Sequence, residues 1–233
     1  MFRLVENKRY LYGISLRKKF SEAVKDFRYL LSRGYNREGA LAFVGDRCQL
    51  SREERLTLYR GVYAPRSADK HRKKLLPIDA IRGKRLAVDG YNVLITVETM
   101  LSDKPLVLCD DYFIRDVSAV HGKHKPTRKT RNALNIILKF LNKCKPMNVC
   151  FSYDAQVSRS GELAALTRTL MGKVEVKGSA RAVKQADIYA VKSGDIIASS
   201  DAVIIEKAKK VVDLAGEIVR VVVPNKLLRL TEI

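Results

Sequence analysis

The chain has 233 residues, 46% of them apolar, and no uninterrupted apolar run reaches the ~18 residues of a membrane span. Its 45 Lys and Arg against 25 Asp and Glu give a net charge of +20 and a pI near 9.9, which excludes an acidic, self-solvating chain. The excess favours a polyanionic partner, and nucleic acid comes before a membrane surface because no basic amphipathic anchor is evident. Residues 1–10 carry charges with no apolar stretch behind them, so secretion is not expected. Cys48, Cys109, Cys144 and Cys150 show neither a C-x-x-C pair nor a regular spacing; reduced thiols in the cytoplasm are expected, without a zinc ribbon or a disulfide framework.

Residues 1–64 read as a helical domain. Leu16, Phe20, Val24, Phe27, Leu30 and Leu31 fall at three-and-four spacing, giving an amphipathic helix that stops at Ser32-Arg33-Gly34. Asn36 is placed to cap a second helix through Leu41, Phe43 and Val44, and Ser51-Arg-Glu-Glu has the form of a capping box opening a third. Residues 1–76 hold 19 basic and 8 acidic side chains, or +11. Residues 65–76 read as a solvated basic linker, in which Arg72, Lys73 and Lys74 are candidate phosphate contacts.

From 77 to 233 the pattern alternates. Apolar strand candidates are Arg85 to Asp89, Asn148 to Tyr153, Val174 to Val176, Ile196 to Ser199 and Ile218 to Val223, with an added edge strand at Pro105 to Cys109. Helical stretches separate them: Thr130 to Leu141, Glu162 to Leu170, Ala182 to Val191 and Ala202 to Leu214. Strands alternating with helices predict an α/β domain, a parallel sheet covered by helices on both faces, after a small all-α domain.

In a parallel sheet the carboxyl ends of all strands share one edge, where ligands bind. Asp89 ends the first strand, Asp154 the second and Asp201 follows the fourth, while Asp187 lies near the start of the helix before it. Carboxylates converging there repel one another unless a cation sits between them, which predicts an Mg²⁺ or Mn²⁺ site for phosphodiester chemistry. Each acid taken alone also suits a helix cap or a turn. Asp111, or its neighbour Asp110, is a further candidate ligand, and Asn92 is a candidate amide contact or an ordinary turn residue.

The stretch His121 to Arg131 holds five Lys or Arg and no acid, then opens into a helix. Lys123, Lys125, Arg128, Lys129 and Arg131 therefore form a candidate clamp on a nucleic-acid substrate's backbone or a solvated loop, and Ser158 and Ser160, beside Gly161 and ahead of another helix, are candidate phosphate contacts or plain caps. His71, His121 and His124 lie in basic loops and form no ligand array.

Taken together, Leu-Ala-Val-Asp-Gly-Tyr-Asn at 86–92, Phe-Ser-Tyr-Asp at 151–154, the helix with Asp187 and Ile-Ala-Ser-Ser-Asp at 197–201 resemble the PIN-like nucleases, most of all their NYN branch. The resemblance covers about residues 77–223. It implies a parallel five-stranded sheet, a metal-dependent ribonuclease, metal-site roles for Asp89, Asp154, Asp187 and Asp201, and supporting roles for Asn92 and Ser200. That family commonly supplies a glutamate from the helix after the first strand; here Glu98 is the candidate, with Asp111 as substitute. Asp26-Phe-Arg-Tyr-Leu-Leu-Ser-Arg-Gly-Tyr, Leu41-Ala-Phe-Val-Gly-Asp-Arg and Glu54-Arg-Leu are similar to the largely archaeal domain of unknown function 434. In that family the pattern around Asp110-Asp111, Arg115-Asp116 and Asp154 with Ser158-x-Ser160-Gly161 also resembles part of the site.

The leading expectation is an Mg²⁺- or Mn²⁺-dependent endoribonuclease. Its rival is a PIN-like RNA-binding adaptor without cleavage, serving RNA processing or the ribosome, with a protein partner or a second copy of the chain admitted in either case. A haloacid-dehalogenase-like phosphatase ranks below both, since Tyr91 stands where it needs an acid.

Overall fold

The computed structural model describes residues 18–102, 104–117, 124–225 and 227–233, without the side chains at 187, 188 and 191. Leu16, His121 and Lys123 lie outside the described residues. The chain divides into two compact units, the first drawn from residues up to 73, 103–118 and 223–233, the second from 74–102 and 119–222.

Unit 1 holds α1 (Lys18–Ser32), α2 (Arg37–Arg47), α3 (Arg52–Gly61) and α4 (Pro65–Arg72). Asn36 accepts from the N–H groups of Glu38 and Gly39, and Ser51 and Glu54 close the capping box that the sequence predicts. Phe20, Val24 and Phe27 of α1 are fully buried with Val44 and Leu58, so the predicted amphipathic stripe faces a core. Each fully buried Phe or Leu contributes about 1.5–3 kcal/mol to holding that core shut.

The expected linker is structured. Pro65 starts α4 where its missing N–H costs nothing, and Ala68 and His71 are buried beneath a basic outer face. Unit 1 also takes a small sheet of β2 (Leu106–Leu108) between β3 (Ile114–Asp116), antiparallel, and β8 (Leu227–Arg229), parallel. The segment 105–109, read as an edge strand of the large sheet, thus belongs to this separate one.

Buried ion pairs fix that sheet to the helices of its own unit. Asp111 is wholly buried; both its oxygens accept from the Arg115 fork at 2.7 Å, and His71 Nδ1 stands 2.8 Å from Oδ2. Asp110 accepts from Arg28 of α1 at 2.8 and 3.0 Å and from the Tyr63 N–H, while Arg60 of α3 donates to Asp116. Burial pushes the Asp111 carboxyl up, yet the Arg115 charge and the hydrogen bonds from His71 and Arg115 outweigh it and hold the group at about 2. Burial drives the Cys109 thiol to about 12.

Unit 2 is built on a five-stranded parallel sheet in the order β5 (Gly178–Val183), β4 (Asn148–Asp154), β1 (Arg85–Asp89), β6 (Ile196–Ala198), β7 (Val211–Val212). Around it run α5 (Gly90–Met100), α6 (Arg128–Cys144), α7 (Ser160–Lys173), α8 (Ala186–Ser193), α9 (Ala202–Lys207) and α10 (Leu214–Val222). The α/β class holds, with two strands displaced. Val174 caps α7 and Val176 folds back onto Met171, so the strand begins at Gly178, where φ is +144° and a Cβ would lie 1.8 Å from the Val149 carbonyl. Ile218 to Val223, expected as a strand, falls in α10: Leu214, Ala215, Ile218 and Val219 are buried at helical spacing while Val221 and Val222 face solvent. The fifth strand is only Val211–Val212. Among the described residues no helix is long and apolar enough to cross a membrane.

Asp111→Asn, breaking a buried pair, is expected to cost about 3–5 kcal/mol. Because the folded carboxyl is held at about 2, below its ordinary value of ~3.9, that stabilisation is complete above the ordinary value and lost as pH falls toward 2. Urea unfolding of the two proteins should differ most at neutral pH and converge in that acid window; a gap that survives at pH 2 would refute the assignment.

Candidate functional site

The sheet order reverses at β1: chain-consecutive strands were laid first to one side, β4 then β5, and afterwards to the other, β6 then β7. The crevice at such a switch point is the usual ligand site of an open parallel sheet. Asp89 ends β1 there, paired in register with Ser152 of β4. It occupies the cap position of α5 without making a side-chain cap, and its Oδ2 accepts from Ser199 Oγ at 2.9 Å. Gly90 is dictated by this turn, since a Cβ would stand 2.4 Å from the Tyr153 ring and 2.8 Å from the Ser152 carbonyl.

A second latch closes the same corner. Asn92 Oδ1 accepts from the Ser200 N–H at 2.8 Å and from Ser200 Oγ at 3.0 Å, tying the first turn of α5 to the end of β6. Ser199 and Ser200 are almost wholly buried, and Asp89 and Asn92 partly exposed. The hydroxyl that fixes Asp89 was not singled out from the sequence, although it lies inside the Ile-Ala-Ser-Ser-Asp motif.

The other acids differ in what already holds them. Asp154 ends β4 half-buried, its Oδ1 accepting from the Gln156 N–H in a turn. Asp201 caps α9, its Oδ1 accepting from Val203 and Ile204 N–H groups. Asp187 lies in the first turn of α8, and Ser152 Oγ reaches the Ala186 carbonyl beside it, but its side chain lies outside the described residues. Asp111 is no part of this edge; it is locked in the buried Arg115 pair of unit 1. Burial, reinforced by the Asp154 charge, pushes the Tyr91 hydroxyl up to about 12, so it stays protonated. Among the described residues, no three His, Cys, Asp or Glu side chains come close enough together to hold a metal.

Glu98 is engaged as well. Its Oε1 accepts from Thr130 Oγ1 at 2.6 Å and its Oε2 stands 2.9 Å from His124 Nε2. His124, which the sequence left unassigned, is buried edge-on to Tyr91, and its Nδ1 has no hydrogen-bond partner among the described residues. Glu98 therefore pins the entry of α6, where Thr127 and Thr130 form a capping box.

Of the basic candidates, Lys125, Arg128 and Arg131 are exposed at the start of α6, and Lys129 donates to Ser102 Oγ at 2.7 Å. Ser158 is exposed and Ser160 buried at the start of α7, with Arg159 between them pairing with Glu162. Lys74 is engaged inside unit 2, donating to the Ile205 and Glu206 carbonyls at the end of α9, as a cation favours. In unit 1, Arg72 points to the Asp110 carbonyl and Lys73 pairs with Asp69.

Comparison with known proteins places these elements in families. Residues 19–74 match the family described as Protein of unknown function (DUF434), as the N-terminal motifs suggest. Residues 78–217 match Domain of unknown function (DUF5616), where the sequence motifs suggested the NYN branch. An uncharacterized protein of Methanocaldococcus jannaschii is 37% identical over 198 residues, covering 84% of this chain and 94% of the relative. No solved structure matches. With more than half its length under one match and most of a relative aligned end to end, the chain belongs to the DUF5616 family, with a DUF434 region ahead of that domain.

Proposed function

We propose that unit 2 is a PIN-like, metal-dependent endoribonuclease of the cytoplasm, hydrolysing RNA phosphodiester bonds. The observation that carries this reading is Asp89: a carboxylate at the end of the central strand, at the switch point, not used as a helix cap and oriented by Ser199. The donor set along this edge is oxygen only, which suits Mg²⁺ or Mn²⁺ in kind. Asp89, Asp154 and Asp187 would hold the ion, with Asp201 beside them. When bound, such an ion supplies an activated water and offsets the charge that develops on phosphate.

The chain's own residues do the rest. Ser199 fixes the angle of the Asp89 carboxylate, and the Asn92–Ser200 latch keeps the ends of β1 and β6 from splaying. Lys125, Arg128 and Arg131 attract the RNA backbone toward the N-terminus of α6, whose first turn holds no acid. A second reading, an RNA-binding adaptor that does not cleave, is favoured by one observation: Asp154 and Asp201 already accept from backbone N–H groups, in a turn and in a helix cap.

Labelled single-stranded and structured RNA incubated with Mn²⁺, Mg²⁺ or EDTA separates the two. Metal-dependent products are expected, abolished by Asp89→Asn; Ser199→Ala, which only releases the carboxylate's orientation, should lower the rate about 10–100-fold. Tight binding with no cleavage under either metal would leave the adaptor. Glu98→Gln should keep the native metal requirement, because that carboxylate already serves Thr130 and His124. The same change sets an amide N–H₂ against one of those donors, lowering stability by about 1–3 kcal/mol in urea unfolding. A shifted metal requirement with unchanged stability would make Glu98 a ligand instead.

A further inference from the structure

We infer that unit 1 carries a binding surface for single-stranded RNA of its own, built around the α1–α2 turn from Tyr29, Tyr35 and Tyr59 with Arg33 and Arg37. Lone apolar side chains on a surface need no explanation, but these are grouped. Tyr29 is 60% exposed, Tyr35 62% and Tyr59 39%; among the described residues the exposed large aromatic side chains all belong to unit 1.

The grouping follows from the backbone. The Tyr35 N–H bonds back to the Leu30 carbonyl, folding Tyr35 against the end of α1, where Tyr29 lies one turn earlier. Arg33 holds its guanidinium 5.8 Å from the Tyr29 ring centre. Arg37, in the first turn of α2, lies 5.6 Å from the Tyr59 ring and donates to the Tyr59 carbonyl at 2.6 Å. Tyr29 and Tyr59 thus each have a planar cation beside them; Arg37, which also lies 4.7 Å from the buried Tyr63 ring, is fixed by a second bond, to the Val62 carbonyl.

Charge selects the occupant. From Phe27 to Arg37 the chain has three arginines and no acid; Arg28 is taken up by Asp110, which leaves Arg33 and Arg37, inside a segment, 1–76, whose net charge is +11. Exposed aromatic faces with cations beside them on a basic surface are what unstacked bases on a phosphate backbone need: rings take the bases, guanidiniums stack or meet phosphate. A duplex keeps its bases stacked and offers these rings nothing, whereas a protein partner meets these cations only if it brings acidic side chains. This inference does not depend on cleavage by unit 2.

The test uses the native full chain in EDTA, so that any metal-dependent cleavage is silent, with fluorescein-labelled oligoadenylate read by anisotropy. Tyr29→Ala and Tyr35→Ala should each raise Kd by about 5–150-fold, which corresponds to about 1–3 kcal/mol per stacked base. Tyr29→Phe and Tyr35→Phe keep the ring face and should bind as the native chain does. Arg33→Gln should flatten the salt dependence by about 0.7 in the slope of log K against log salt. Both tyrosines are exposed, so the Ala variants should melt with the native chain, which the same samples check by circular dichroism. Native-like affinity in the Ala variants, equal losses in the Phe variants, equal binding of an RNA duplex, or no binding by the native chain would each overturn the proposal. Loss of cleavage with Mn²⁺ restored, by contrast, bears only on unit 2.

Discussion

The parallel pairing of β1 between β4 and β6 is the constraint on which unit 2 depends. Leu86, Ala87 and Val88 are wholly buried, because a central parallel strand is covered on both faces and has no solvent side. Every polar group of that strand is therefore pushed to its ends. Asp89 is where the carboxyl end first meets water, and the chain must then turn at once into α5 against Tyr153, which only Gly90 permits. The position of the acid is thus a by-product of burying the three residues before it. Its orientation is a separate matter, set by a hydroxyl from the neighbouring strand.

The same constraint explains what could be read from the sequence. β1, β4 and β6 are continuous apolar runs because they are central, so their bounds and their terminal acids were legible. The flanks were not. β5 reads Gly-Ser-Ala-Arg-Ala-Val, half exposed at an edge, and carries no apolar signal; β7 is two residues long. In Ile218–Val222 a β-branched run favoured a strand by propensity, but burial of Leu214, Ile218 and Val219 on one side favours a helix, and packing outweighs a propensity of a few tenths of a kcal/mol per residue. Unit 1 was legible in its first three helices and capping box but not in the helix at Pro65–Arg72, and its sheet is assembled from segments more than a hundred residues apart, which no local pattern records.

Acids are the hardest residues to read. Asp89 and Asp111 both follow a short apolar strand, yet one lies at an open edge and the other is sealed against Arg115 and His71. Sequence cannot tell a carboxylate kept for chemistry from one kept for a buried ion pair, since both stand in apolar surroundings. What separates them is burial: Asp111 is wholly buried and Asp89 partly exposed. Asp111 meets a bidentate guanidinium that satisfies both oxygens, so it has no capacity for another cation. Glu98 is read the same way: with Thr130 on one oxygen and His124 on the other, it holds the α6 entry in place.

Those partnerships also change what the net charge of +20 means. Arg28, Arg60, Arg85 and Arg115 are matched to carboxylates, and Lys74 to helix carbonyls, so a large part of the basic excess stabilises the fold. The cations left facing solvent decide where a polyanion is attracted. At the start of α6 they are Lys125, Arg128 and Arg131, joined to a helix end that itself favours negative charge. An edge lined with Asp89, Asp154 and Asp201 repels phosphate by itself. On the proposed reading, a bound cation and the exposed cations at the start of α6 reverse that sign locally, so the acids and those cations act as one arrangement.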